Sequence, residues 1–201
     1  MIAVVQSVYG GYDILDDWIP QSVPYRRVIV DTARPHLSPR MAAKVAKCEP
    51  WRYTNADVVV WVDGSIVPTD DRFVEHLVDN AVGPLSQYVH PHRDCIQDEA
   101  RVSAGMVKYA GQPVIGQAAY YMQRGHPLHW GLWATGIIVY RPSSALRLFG
   151  LGWLAEQAAW TVQDQISQPY LLHRLGMRPH TIPGDIFDMD HATIRPHESE
   201  S

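Results

Sequence analysis

The sequence predicts an α/β layered domain with a mostly parallel central sheet flanked by helices. Three observations carry that expectation. Short apolar runs alternate with amphipathic segments along all 201 residues, the order layered α/β folds require. The runs are continuous, which suits strands covered on both faces. The length matches one domain at ~100–200 residues per domain, and a chain of this size buries roughly 70% of its unfolded surface.

The first strand is Ile2-Ala3-Val4-Val5, followed by Gln6-Ser7-Val8-Tyr9 and closed by Gly10-Gly11. A second runs from Arg27 to Val30 and ends at Asp31. Ser38 to Cys48 reads as a helix, with Ser38 as cap, Pro39 at the first position and Pro50 as stop. The strongest strand is Asp57 to Val62, running into Asp63-Gly64-Ser65. Asp70 and Asp71 lead a helix in which Phe73, Val74, Leu77, Val78 and Ala81 keep the 3–4 spacing. Val89 opens a polar stretch, His90-Pro91-His92-Arg93-Asp94. Helices follow from Ile96 to Tyr109 and from Val114 to Arg124. Gly136 to Tyr140 is a further strand, limited by Pro142. Gly150 and Gly152 interrupt a helical pattern from Ser143 to Gln157. Gln163 to Leu175 is a helix with Gly176 as its C-cap. A tail carrying His191 closes the chain, and the sequence holds no repeat, linker or low-complexity tract.

Composition excludes several classes. Hydrophobic residues make up 46% and charged residues 19%, which argues against a disordered chain. No apolar run reaches the ~20 residues of a membrane-crossing helix. The N-terminus lacks the basic start, greasy core and cleavage site of a secretory signal, so none is expected. Lys plus Arg is 17 against 21 for Asp plus Glu, a net charge of −4. That balance disfavours nucleic acid as a partner without excluding a nucleic-acid acceptor. Cys48 and Cys95 have no CxxC spacing and are expected to be reduced, as in a cytoplasmic protein.

Five places can carry chemistry. Asp63-Gly64-Ser65 ends a long strand, where α/β sheets bind ligands, and a carboxylate there suits Mn²⁺ or Mg²⁺. The same tripeptide also makes a plain Asx turn. Ser7 to Asp13 holds Gly10 and Gly11, which let backbone approach a ligand or simply turn. It is neither a GxGxxG fingerprint nor a P-loop. Arg40, Lys44 and Lys47 share one helix face, fit for a diphosphate or for solvent. Asp164 opens a helix as a cap, a general base or a ligand-positioning carboxylate. His191 stands near Asp188 and Asp190, where it could complete a metal shell.

The order of these features resembles a GT-A glycosyltransferase. A glycine-containing first strand, an Asp after the second, a basic helix and a strand ending in an acidic motif follow one another. Val8 to Asp13, Trp61 to Ser65, His90 to Cys95 with Asp98-Glu99-Ala100, and Asp164-Gln165 resemble a narrower family. That family is the glycosyltransferase-like domain of plant mucilage-related and bacterial polysaccharide proteins.

The resemblance implies a single Rossmann-like GT-A domain over 1–201. Residues 1–70 would form the nucleotide-binding half, 71–185 the acceptor-side half and 186–201 the tail. It implies transfer of a sugar from a nucleoside-diphosphate sugar, UDP-sugar first, to a carbohydrate or other acceptor hydroxyl. Ser7, Tyr9, Gly10, Gly11, Tyr12, Asp31, Arg40, Lys44, Asp63 and Gly64 would hold the nucleotide sugar. Asp63, Ser65 and His191 would hold the metal. His92, Arg93, Trp130, Gly131 and Trp133 would meet the acceptor. Asp164 would be the base if the enzyme inverts and would position the sugar if it retains. Ser65 departs from the family's DxD pattern and is a weaker, neutral ligand. A nucleotidyltransferase or a non-catalytic sugar- or nucleotide-binding module are the alternatives.

Overall fold

The computed structural model describes residues 1–11, 15, 17–32 and 34–195. In chain order the elements are β1 (Ile2–Ser7), β2 (Arg26–Val30), α1 (Pro39–Cys48), β3 (Val58–Val62), β4 (Ile66–Pro68) and α2 (Phe73–Asn80). There follow β5 (Leu85–Val89), α3 (Ile96–Ala104), α4 (Val114–Gln123), β6 (Trp133–Tyr140) and α5 (Ser144–Ala159). The chain then runs through α6 (Asp164–Arg174), β7 (His180–Thr181) and β8 (Ala192–Ile194).

Six strands make one sheet in the order β2-β1-β3-β6-β5-β7. The pairs β1–β2, β1–β3 and β5–β7 are parallel, whereas β6 runs against both β3 and β5. Five strands therefore share one direction and β6 alone is reversed. From β1 the chain goes to β2 on one side and later to β3 on the other. Ligands in such sheets bind beyond the carboxyl ends of the strands, where the order reverses.

The apolar strands are continuous because both faces are covered. Val59 and Trp61 of β3 pack with Ala46, Phe149, Trp153 and Leu172 from α1, α5 and α6. Val58, Val60 and Val62 pack with Phe73, Val74 and Leu77 of α2. A third cluster joins α3, α4 and α6 through Ile96, Ala118, Tyr121 and Ile166.

Four sequence expectations change. A strand at β5 was hidden by its polar residues, because Ser86 and Gln87 are buried. Gln87 satisfies its amide on the Ala134 carbonyl and on Gln168, so a polar side chain sits in the core at little cost. The helix from Ile96 ends at Ala104, and a 3-10 turn covers Val107–Tyr109. The strand expected from Gly136 starts at Trp133. The α5 helix runs through Gly150 and Gly152. A Cβ on Gly150 would lie 2.2 Å from the Cys48 carbonyl oxygen, so this glycine permits close helix packing.

The tail is built into the fold as far as β8, which pairs with β4. Cys48 and Cys95 are free and buried. Among the described residues no helix is long and apolar enough to cross a membrane.

Candidate active site

A cavity of about 370 Å³ opens beyond the ends of β1 and β3. Its walls come from Ser7 and Tyr9 after β1, the Asp63–Ile66 turn after β3, and Ala134 to Gly136 of β6. Arg40, Lys44 and Lys47 of α1, the start of α6, Tyr109 and Phe187 close it. The antiparallel β6 matters here. The Asp63 amide donates to the Gly136 carbonyl at 2.8 Å, which brings the β6 start beside the acidic turn.

A chain of alternating charges crosses the floor. Asp164 is buried at the first position of α6. Its Oδ2 accepts from Lys44 Nζ at 2.5 Å and from Lys47 Nζ at 2.9 Å. Lys47 Nζ also lies 3.0 Å from Asp63 Oδ1, which accepts in addition from the Trp61 indole at 2.8 Å. The Lys47 side chain is 4% exposed and that of Asp63 is 39% exposed, so charge runs from the interior to the cavity mouth. Asp164 Oδ1 is buried and has no hydrogen-bond partner among the described residues.

These contacts set the protonation states. Burial alone would raise the Asp164 carboxyl, but the two ammonium groups outweigh it and hold it below its ordinary value. Burial alone would lower Lys47, but the carboxylates of Asp164 and Asp63 outweigh it and raise it. Lys44, buried with one carboxylate and beside Lys47, is lowered. Burial raises the Tyr109 phenol, which stays neutral near pH 7.

A second layer fixes the start of α6. Gln163 caps the helix by accepting from the Gln165 amide at 3.3 Å. Its own amide donates to Glu99 Oε1 and to Ser103 Oγ, both at 2.7 Å. Glu99 is 2% exposed and takes the Arg93 guanidinium at 2.6 Å. Arg93 in turn lies 3.2 Å from the His90 ring.

The structure brings Ser7, Tyr9, Arg40, Lys44, Asp63, Gly64, Ser65 and Asp164 to one cavity. Gly10 and Gly11 turn the chain beside it with φ of 72° and 68°, and Asp31 lies outside its wall. Tyr12 lies outside the described residues. Of the acceptor-side set, none lines the cavity. Arg93 is held by Glu99, and His92 stacks at 6.0 Å on Phe187, which does line the cavity. Trp130 and Trp133 pack against each other at 5.4 Å, and the Arg178 guanidinium lies over both rings. A Cβ on Gly131 would meet Trp133 at 2.9 Å, so Gly131 serves that packing. His191 bonds Asp70 at 2.8 Å and lies outside the cavity wall. Tyr109, Thr135 and Phe187 join the wall without having been expected there, and Gln163 joins it beside Asp164. Gln163 had a signal in its place before Asp164, while Phe187 had none.

The donor set does not fit the expected metal shell. His191 lies outside the cavity wall, with its Nδ1 on Asp70, and Ser65 is neutral. Asp63 Oδ1 is already occupied by an ammonium and an indole N–H. Among the described residues no group of three or more His, Cys, Asp or Glu is placed to hold one ion.

The family model of the TOD1/MUCI70 glycosyltransferase-like domain matches residues 12–191. The chain belongs to the TOD1/MUCI70 glycosyltransferase-like family. Among solved structures it is similar to the WbbM bifunctional glycosyltransferase in its apo form. The identity is 16% and the TM-score 0.50, over 90% of this chain and 38% of that one. It is also similar to the galactosyltransferase LgtC in complex with donor and acceptor sugar analogues. There the identity is 13% and the TM-score 0.36, over 75% of this chain and 50% of that one. The TOD1/MUCI70 domain thus spans half or less of each structure's length. No curated protein matches it. Its α/β architecture, with a six-strand mostly parallel sheet flanked by helices, is that of GT-A glycosyltransferases.

In this TOD1/MUCI70 domain three of the quoted motifs reach the cavity. They are Val8 to Asp13, through Tyr9, together with Trp61 to Ser65 and Asp164-Gln165. The motif around Arg93 and Glu99 lies behind them and holds α6 in place.

Proposed function

We propose that the cavity binds a nucleoside-diphosphate sugar, with UDP-sugar as first choice, and transfers the sugar to an acceptor hydroxyl. The observation that carries this reading is the Lys44–Asp164–Lys47–Asp63 chain at the carboxyl ends of β1 and β3. Buried ammonium groups facing a cavity are suited to a diphosphate. Tyr9 stands at the β1 end, where it offers a ring to the base. Arg40 and Lys44 would take the phosphates. Asp164 Oδ1, an acceptor without a donor among the described residues, would receive a hydroxyl of the sugar.

The reaction joins the acceptor oxygen to the anomeric carbon and breaks that carbon's bond to the diphosphate. The bonding pair leaves on the phosphate oxygen, and the acceptor's proton passes to water. Asp164 suits the positioning role better than the base role. A carboxylate shared by two ammonium groups and held below its ordinary pKa is a weak base.

A co-crystal with UDP tests the placement. The expected result has the diphosphate within hydrogen-bond reach of Lys44 and the base beside Tyr9. A nucleotide seated anywhere outside this cavity contradicts the reading.

A further inference from the structure

We infer that the Lys47 ammonium does in this site the work usually given to a divalent cation, so that Lys44 and Lys47 hold and discharge the diphosphate without a metal. The inference rests on the nucleotide-sugar reading above and deepens it.

The geometry supports it in three ways. Lys47 Nζ lies between two carboxylates, 2.9 Å from Asp164 Oδ2 and 3.0 Å from Asp63 Oδ1, the gap in which a bridging cation would sit. A metal on Asp63 would have to displace this ammonium or sit beside it, positive charge against positive charge. Next, the ammonium groups have donors to spare. Each has three N–H groups; Lys44 gives one to Asp164, and Lys47 gives one to each carboxylate. That leaves two donors on Lys44 and one on Lys47 for a ligand in the cavity both line.

The third support is the basic lining. Among the described residues the cavity is lined by Arg40, Lys44, Lys47 and Lys108 together with Asp63 and Asp164, so the wall offers a diphosphate ammonium groups of its own. When the anomeric bond breaks, the electron pair arriving on the phosphate oxygen meets N–H donors already in place. Such preorganised donors need no rearrangement as charge develops.

Titration calorimetry on the full chain tests this, with UDP, GDP, ADP, CDP and dTDP as probes, first in EDTA and then in excess MnCl₂. The expected result is one nucleotide that binds in EDTA, with an affinity that Mn²⁺ changes by less than about threefold. Lys47→Met should weaken it by roughly tenfold or more, as loss of a charge-assisted hydrogen bond does. Lys44→Met, at the less buried of the two positions, repeats the test if circular dichroism shows that Lys47→Met does not fold. Binding only with Mn²⁺, or tightened about tenfold by it, overturns the inference and leaves the transferase reading standing. Metal-independent binding that neither variant weakens also overturns it. If no nucleotide binds in either condition, the reading beneath falls and takes this inference with it.

Discussion

At the scale of single residues, the site depends on which charges neutralise which. Asp164 is the hub, because its Oδ2 is shared by Lys44, Lys47 and, at 3.4 Å, Thr135. Asp164→Asn should lower turnover by roughly 10–100-fold, the effect of losing charge-assisted hydrogen bonds. The acid limb of the pH–rate profile should stay in place, because Asp164 is held below its ordinary range and does not titrate there. A loss near 10⁴-fold with that limb abolished would make Asp164 the general base instead. Asp63, Lys44 and Asp164 were legible from the sequence because each stands at an element boundary or on a regular helix face. The pairing of Lys47 with two carboxylates was not legible. It joins residues 16 and 117 positions apart, and only the packing of α1 against α6 and the β3 end creates it.

At the scale of elements, helix packing decides where the lysines point. The α1 helix is capped by Ser38, whose oxygen accepts from the Met41 amide at 3.2 Å, as the sequence predicts. Its C-terminal end packs against α5, where Gly150 faces Cys48. Alanine there would gain about 1 kcal/mol in helix propensity. Its Cβ would also meet the Cys48 carbonyl at 2.2 Å and Trp51 at 2.8 Å, which forces backbone to move. Gly150→Ala should therefore cost about 1–3 kcal/mol net, a fall in Tm of roughly 2–10 °C. Gly116→Ala is the control, since its new Cβ meets nothing nearer than 3.9 Å. It should stabilise α4 by about 0.5–1 kcal/mol. Equal effects from the two substitutions would contradict the close-packing account. The sequence alone shows two glycines interrupting a helix, and the partner surface that explains Gly150 is over a hundred residues away in the chain.

At the scale of the whole molecule, the α/β order and the parallel core were legible because strands covered on both faces are continuous apolar runs. The edge of the sheet was less so. β5 hides Ser86 and Gln87 in its core-facing pattern, and β7 has only two residues. The acceptor-side tryptophans read as ligand contacts, yet they pack with Arg178, His126 and His173. That cluster gives stability a pH dependence. Burial disfavours the His126 imidazolium and pushes its pKa down to about 4, with His173 adding to the effect. The folded pKa lies below the unfolded value near 6.5, so the unfolded chain takes up the proton first. The contribution is complete above about pH 6.5 and is lost as pH falls toward 4, a change of up to roughly 3 kcal/mol. Burial lowers His76 and His90 as well, so they act in the same direction. Thermal melts should show Tm falling across that window, with a shallower fall in His126→Phe. An equal fall in the variant would remove His126 as a cause. The central claim, sugar transfer from a nucleoside-diphosphate donor in the β1–β3 cavity, is tested most directly by turnover. The wild type and Lys44→Met should be given a panel of nucleotide sugars, with released nucleoside diphosphate measured. The account predicts release from one donor class, lost in the variant. No release from any donor, or release that Lys44→Met leaves unchanged, would contradict it.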